Sequence, residues 1–192
     1  MRTLIIAGFA ASLAAAASAA PVTYPIDPRH TYPSFEADHF GGMSVWRGKF
    51  TKTTGTITLD REAGSGSVDV TIDLSSVSVG LDDLDQDLRS HNFFDVTKYP
   101  TATYTGKFAE FVDGKPTRVQ GSLTLHGVTQ PVTLTIRSLK CMPHPLKNKK
   151  EFCGADAVAT IDRSKFGMDW GRNFGFGMET KLAIQVETDV AK

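Results

Sequence analysis

Neither sign of charge is in excess: 21 Lys and Arg face 21 Asp and Glu. Without a basic surplus there is no electrostatic footprint for a nucleic-acid backbone. Cysteine is scarce, only Cys141 and Cys153, too few for a disulfide-built miniature fold or a four-sulfur zinc site. Beyond the first residues no run is long and apolar enough to span a bilayer as a helix. The G-x-S-x-G elbow of serine hydrolases is missing. The histidines His30, His39, His91, His126 and His144 contain no i, i+4 pair of the zinc-helix kind. No repeat or low-complexity tract interrupts the chain.

What is present begins with a leader. Arg2 precedes an apolar run, Leu4–Ala17, and Ala17-Ser18-Ala19 matches an A-x-A cleavage site. Residues 1–19 are therefore expected to be a signal peptide and 20–192 one domain. An exported, periplasmic destination is oxidising. Cys141 and Cys153 flank a loop between two predicted antiparallel strands, so a disulfide between them is predicted.

The rest alternates with period two. Val22–Asp27 is a short strand marked as an edge by Pro25. From Pro33 the set Phe35, Ala37 and His39 shares a face, ending at Gly41-Gly42. Val45–Phe50 is ambiguous. Lys49–Asp60 reads as one strand bent at Gly55, and Ser67–Val79 as another, with Val68, Val70, Ile72 and Leu74 alternating with polar residues. Thr101–Phe108, Arg118–Leu125, Pro131–Leu139, Cys153–Asp162 and Lys181–Asp189 follow. His126-Gly127-Val128-Thr129 is a tight turn, and Lys140–Phe152 a basic loop. Only Leu81–Ser90 changes period, with Leu81, Leu84 and Leu88 at i, i+3, i+7 of a short helix. About eight strands with hairpin-length links predict an antiparallel barrel or sandwich.

Two aromatic stretches stand apart. Leu88–Tyr104 carries Phe93, Phe94, Tyr99 and Tyr104 on an irregular segment, which suits closure over a barrel interior. Arg163–Gly177 is rich in Phe, Met, Trp and Gly. Asp83, Asp85 and Asp87 give D-x-D-x-D, but Leu88 and Phe94 stand where a calcium loop needs Gly and Glu. These aspartates read as a solvated helix face. His39, sharing a face with Phe35, reads as a core histidine or a polar contact to a ligand head group. No metal or cofactor is expected.

Ile26-Asp27-Pro28-Arg29-His30, Gly48-Lys49-Phe50, Asp87-Leu88-Arg89-Ser90, Phe93-Phe94-Asp95-Val96, the run Gly121–Thr129, and Ile161-Asp162-Arg163-Ser164 with Phe166-Gly167-Met168 together resemble the YceI-like, polyisoprenoid-binding family of bacterial periplasmic proteins. Their order and spacing cover the whole chain after the leader. Tyr32-Pro33 departs from the more β-branched strand usual there, and the cysteine pair is not a general family mark. The resemblance implies an all-β, eight-stranded antiparallel lipocalin-like barrel with one short helix and an elongated apolar pocket. It implies a non-enzymatic carrier of isoprenoid or similar long-chain amphiphiles. Phe35, His39, Phe50, Phe93, Phe94, Leu123, Leu125, Arg163, Phe166, Met168 and Trp170 are the expected ligand contacts, with His39 and Arg163 near a head group. The expected partners are a lipid and, transiently, a membrane surface; a homodimer is left open. The alternatives are a periplasmic enzyme for a hydrophobic substrate and a stress or structural protein with a filled barrel.

Overall fold

The computed structural model describes residues 20–190; the expected signal peptide lies outside the described residues. Among these residues eleven strands form one antiparallel sheet. They are β1 (Val22–Pro25), β2 (Tyr32–His39), β3 (Ser44–Phe50), β4 (Thr53–Asp60), β5 (Ser65–Asp73), β6 (Val77–Ser78), β7 (Thr101–Val112), β8 (Lys115–Leu125), β9 (Val128–Pro143), β10 (Glu151–Asp162) and β11 (Glu179–Glu187). Among the described residues one α-helix, α1 (Asp82–Arg89), sits between β6 and β7.

The sheet order is β1-β4-β5-β7-β8-β9-β10-β11-β2-β3-β6. It curls until its ends meet, because β3 runs into β4 through Thr51 and Lys52, while β6 is the continuation of β5 and pairs with β3. Counted around the wall, β3 with β4 and β5 with β6 each act as one broken strand, and β1 is an extra edge piece on β4. This accounts for eleven strands where eight were expected. The ring closes between the first long strand and the last, with Leu182 of β11 opposite Phe35 of β2.

The strand predicted over Ser67–Val79 breaks for a local reason. Asp73 accepts from the Ser75 amide, and the Ser76 hydroxyl donates to the Asp73 carbonyl. These side chains offer the backbone a 3₁₀ turn, Leu74–Ser76, in place of the ladder. Ser76 Oγ also accepts from the amides of Thr51 and Lys52, so the break in one strand holds the break in its neighbour. The ambiguous stretch Val45–Phe50 is a full strand. The basic loop is shorter than predicted, because β9 and β10 pair from Pro143 and Glu151 inward.

Apart from Asp38 near the end of β2, charged side chains of the strands point out and apolar ones line the interior: Val68, Val70 and Ile72 face the cavity, while Asp69, Lys49, Lys107 and Lys181 do not. Polar outside and apolar inside is the inverse of a membrane-spanning barrel. Two glycines let aromatic rings lie flat on the wall. A Cβ on Gly48 would stand 2.4 Å from the Phe35 ring, and one on Gly121 2.6 Å from the Tyr104 ring. The buried Tyr104 hydroxyl lies 2.9 Å from the Val132 carbonyl and 3.1 Å from that of Val119, which answers its need for an acceptor. Burial pushes its pKa to about 12. The predicted β8–β9 turn is a two-residue loop with positive φ at His126 and Gly127, the geometry that matches strand twist.

Helix α1 follows its prediction, with Asp82, Asp83 and Asp85 in the first turn where the dipole favours them. Asp85 does not fit the expected solvated face. It is buried, and its carboxylate accepts from the Val79 amide at 2.6 Å, which ties the helix to the end of β6. Arg89 secures the other end by donating to the carbonyls of Ser75 and Val77.

Candidate functional site

The interior is a cavity of about 670 Å³, walled almost wholly by apolar side chains. That lies within the roughly 300–1,000 Å³ of ordinary ligand pockets. Val68, Val70, Ile72, Leu182 and Ile184 all face it, yet none is fully buried. A packed interior would bury them, so the barrel is hollow.

One end of the cavity is a floor. Tyr24, Leu59 and Cys153 form a separate buried cluster, with Phe108, Phe111, Leu139 and Cys141 against it. Cys153 stands directly opposite Cys141, their Cα atoms 4.1 Å apart, and the two form the predicted disulfide. Outside it, the Tyr24 hydroxyl donates to Glu151, whose carboxylate also takes Arg61 at 3.0 Å. Burial acting on Tyr24, then its bond to Glu151, raises the phenol pKa. For Glu151 burial works upward, but the bonds from Tyr24 and Arg61 outweigh it and hold the carboxyl below its usual value. Cys141, Glu151 and Cys153 bring donor atoms within 4.8 Å of one another. With both sulfurs bonded to each other, only the carboxylate is left to offer a metal.

The other end is an aromatic rim. The two aromatic stretches meet there: the rings of Phe93 and Trp170 are 5.0 Å apart. Phe40 packs on Phe176 at 4.7 Å, Phe176 on Trp170 at 5.7 Å, and His39 lies among Phe40, Trp46 and Phe176. Phe40, Trp170 and Phe174 line the cavity and are also exposed, so this rim is the mouth. Just inside it, Phe94 packs against Phe35 and Phe50.

Two charged side chains hold the rim, both through backbone. Arg163, 9% exposed, donates to the carbonyls of Met168 (2.7 Å), Trp170 (3.0 Å) and Gly177 (3.5 Å). Burial pulls its pKa down, though a guanidinium stays charged. Asp38 accepts from the amides of Gly177 (2.7 Å), Gly41 (2.9 Å) and Gly42 (2.5 Å). The Gly177 amide above all holds the Asp38 carboxyl below its usual range, slight burial opposes it, and the Gly42 and Gly41 amides add to the lowering. Gly177 is thus gripped on both sides of its backbone.

Of the residues singled out in the sequence, Phe35, His39, Phe50, Phe93, Phe94, Leu123, Leu125, Arg163, Met168 and Trp170 lie on the cavity wall. Phe166 does not. It is 2% exposed, packed into the core behind the lining, and its carbonyl lies 3.1 Å from His126 Nδ1. Its work is to seat the rim segment on the β8–β9 turn. Arg163 faces the cavity, but the donors expected to meet a head group go to three carbonyls. The sequence reading passed over Phe40, Trp46 and Phe176 at the mouth and Tyr24 at the floor. Trp46 was findable: it shares alternation with Gly48 and Phe50. The hydroxyl of Thr53, also in the lining, is buried without a partner.

Known proteins fit this geometry. Residues 24–190 match the model of the YceI-like domain. Protein YceI of Shigella flexneri is 33% identical over 191 residues, covering 97% of this chain and 96% of the relative. YceI of Escherichia coli O157:H7 is 32% identical over the same length. Among solved structures, the Campylobacter jejuni YceI protein is similar with a TM-score of 0.64 and 27% identity, over 77% of this chain and 86% of that one. BcnA of Burkholderia cenocepacia has a TM-score of 0.66 at 20% identity, over 85% and 99% of the two chains. A polyisoprenoid binding domain from Saccharophagus degradans, implicated in plant cell wall breakdown, has a TM-score of 0.63 at 19% identity, over 88% and 99%. The hollow barrel, its rim and the full-length match together make this chain a member of the YceI-like family.

Proposed function

We propose that the protein is a non-enzymatic periplasmic carrier of isoprenoid lipids. The observation that carries this reading is the hollow interior, whose inward apolar side chains leave room that they do not fill. A barrel serving only as structure would fill that space with its own side chains. The similarity to a polyisoprenoid binding domain supports the ligand class. The leader pattern of residues 1–19 and the disulfide support export to an oxidising compartment.

An enzyme would need an acid–base pair presented to the substrate. Three polar groups of the lining are directed elsewhere. Tyr104 bonds backbone carbonyls, Arg163 likewise, and Tyr24 bonds Glu151, which is not part of the wall. Burying a lipid tail gains about 0.8 kcal/mol per CH₂ relative to water. A tail leaving a membrane is already out of water, so net transfer is nearly balanced, as carriage requires.

The test is titration of the delipidated protein with a fluorescent polyprenyl lipid. We expect saturable binding at one site, lost in Phe94→Asp. Failure to bind any long-chain lipid would overturn the carrier reading.

A further inference from the structure

Resting on the carrier reading, we propose that the protein docks mouth-first on the surface of a phospholipid bilayer, with Phe40, Met43, Trp170 and Phe174 in its interfacial layer. These side chains stand on two tips that touch. The β2–β3 turn carries Phe40 and Met43, and the rim segment carries Trp170 and Phe174. A Cβ on Gly41 would stand 3.2 Å from the Gly175 carbonyl, and the Phe40 and Phe176 rings are 4.7 Å apart. All four side chains are exposed, Met43 at 80% and Phe174 at 64%. Large apolar side chains gathered at one end of a molecule mark a contact surface. Trp beside Phe suits the boundary between head groups and acyl chains.

The backbone of the two tips already finds partners inside the protein. Asp38 takes the amides of Gly41, Gly42 and Gly177, and Arg163 serves the carbonyls of Met168, Trp170 and Gly177. The Met43 amide donates to the His39 carbonyl at 3.1 Å, and the Phe174 amide to that of Gly171 at 2.9 Å. Groups bonded in this way lose little when water is removed from around them.

Two features select a bilayer over a protein partner. Phe40, Trp170 and Phe174 line the cavity as well as face outward, so whatever covers the tips also covers the opening. A second copy of the chain would shut the mouth, whereas a bilayer leaves the cavity open to lipid. Arg172 lies between Trp170 and Phe174, is exposed, and forms no ion pair among the described residues. Its guanidinium suits the phosphates that border such an interface. Exposed Asp87 and Asp169 offset that charge, so apolar burial rather than net charge carries the adsorption.

The test uses the secreted form purified from the periplasm and delipidated, with phosphatidylcholine vesicles that contain no isoprenoid. Wild type should co-sediment saturably, and raising salt to about 0.5 M should change its affinity less than twofold. Met43 is outside the cavity lining. Met43→Asp should weaken vesicle binding about tenfold and slow uptake of a fluorescent polyprenyl lipid from vesicles. Its affinity for the same lipid supplied in detergent should match wild type. Leu146, 88% exposed on the β9–β10 loop at the floor, provides the counterpart: Leu146→Asp should bind vesicles as wild type does. Absence of wild-type co-sedimentation overturns the docking while the carrier reading stands. Equal losses in Met43→Asp and Leu146→Asp overturn the mouth-first orientation. A wild-type dimer that Met43→Asp dissociates, without vesicle binding, shows that a second copy covers the rim and overturns the proposal. Vesicle binding without lipid uptake from either source leaves the docking and removes the carrier reading.

Discussion

The two ends of the cavity are held by different kinds of bond. At the floor, Cys141 and Cys153 join neighbouring strands covalently, and Tyr24 is fully buried beneath them. At the rim, no covalent tie spans the described residues. The segment from Met168 to Gly177 hangs on hydrogen bonds from Arg163 and to Asp38, and its rings are partly exposed. Hydrogen bonds near water open far more readily than a disulfide, so local opening belongs to the rim. Under the proposed function, the end that would admit a lipid is the end that can move, and the other end keeps the barrel's cross-section fixed.

The hardest way to break this contrast is at the floor. Replacing both cysteines, Cys141→Ala with Cys153→Ala, removes a short closed loop worth about 3 kcal/mol on the chain-entropy estimate. In a chain of this size that lowers Tm by roughly 6–12 °C. Calorimetry checks it, and hydrogen exchange at the rim should be unchanged relative to global unfolding. An unaltered Tm would mean that Tyr24, Leu59 and their neighbours hold the floor unaided.

A change at the rim should cost less and stay local. Arg163→Met leaves the carbonyls of Met168, Trp170 and Gly177 without their donor, a penalty of about 1–3 kcal/mol. Amide exchange over residues 167–178 should quicken, while β9 and β10 keep wild-type protection. Equal protection across the rim would show that the aromatic contacts alone seat it.

Acid should produce the smallest effect and sharpen the comparison. Asp38 has a depressed folded-state pKa, so its contribution is present above its ordinary pKa of 3.8 and is lost as pH falls through the lower folded value. Rim exchange in wild type should therefore accelerate relative to the core below about pH 4. In Asp38→Asn that acid-induced step should vanish. Glu151 is depressed too, but the disulfide beside it should keep the floor closed over the same range. A floor that opens in step with the rim would erase the distinction.

The strands and helix α1 were legible because burial on one face imposes period two, or 3.6, directly on the sequence. The breaks at Thr51-Lys52 and Leu74–Ser76 were not. They arise from Asp73 and Ser76 bonding to backbone, which alternation of apolar residues does not encode. Asp85 looked like its neighbours on α1, and its burial depends on an amide supplied by Val79. Arg163 and Phe166 show the same limit at the site. Both lie in an aromatic loop that reads as ligand-facing, yet one is bonded to that loop's own carbonyls and the other is packed behind the wall. Position in the loop was readable, and direction was set by tertiary contacts.

The pairing of β2 with β11 also governs how the molecule comes to exist. These strands lie near opposite ends of the chain, so the ring closes only when the last strand is available. Contacts so distant in sequence form slowly, after the chain entropy of a long loop has been overcome. Until then β2 and β11 are open edges flanking an apolar trough, the arrangement that invites pairing with another chain. Removal of β11 would thus leave more than a shortened barrel: it would leave an unclosed, adhesive intermediate, and the last strand is where folding either completes or goes astray.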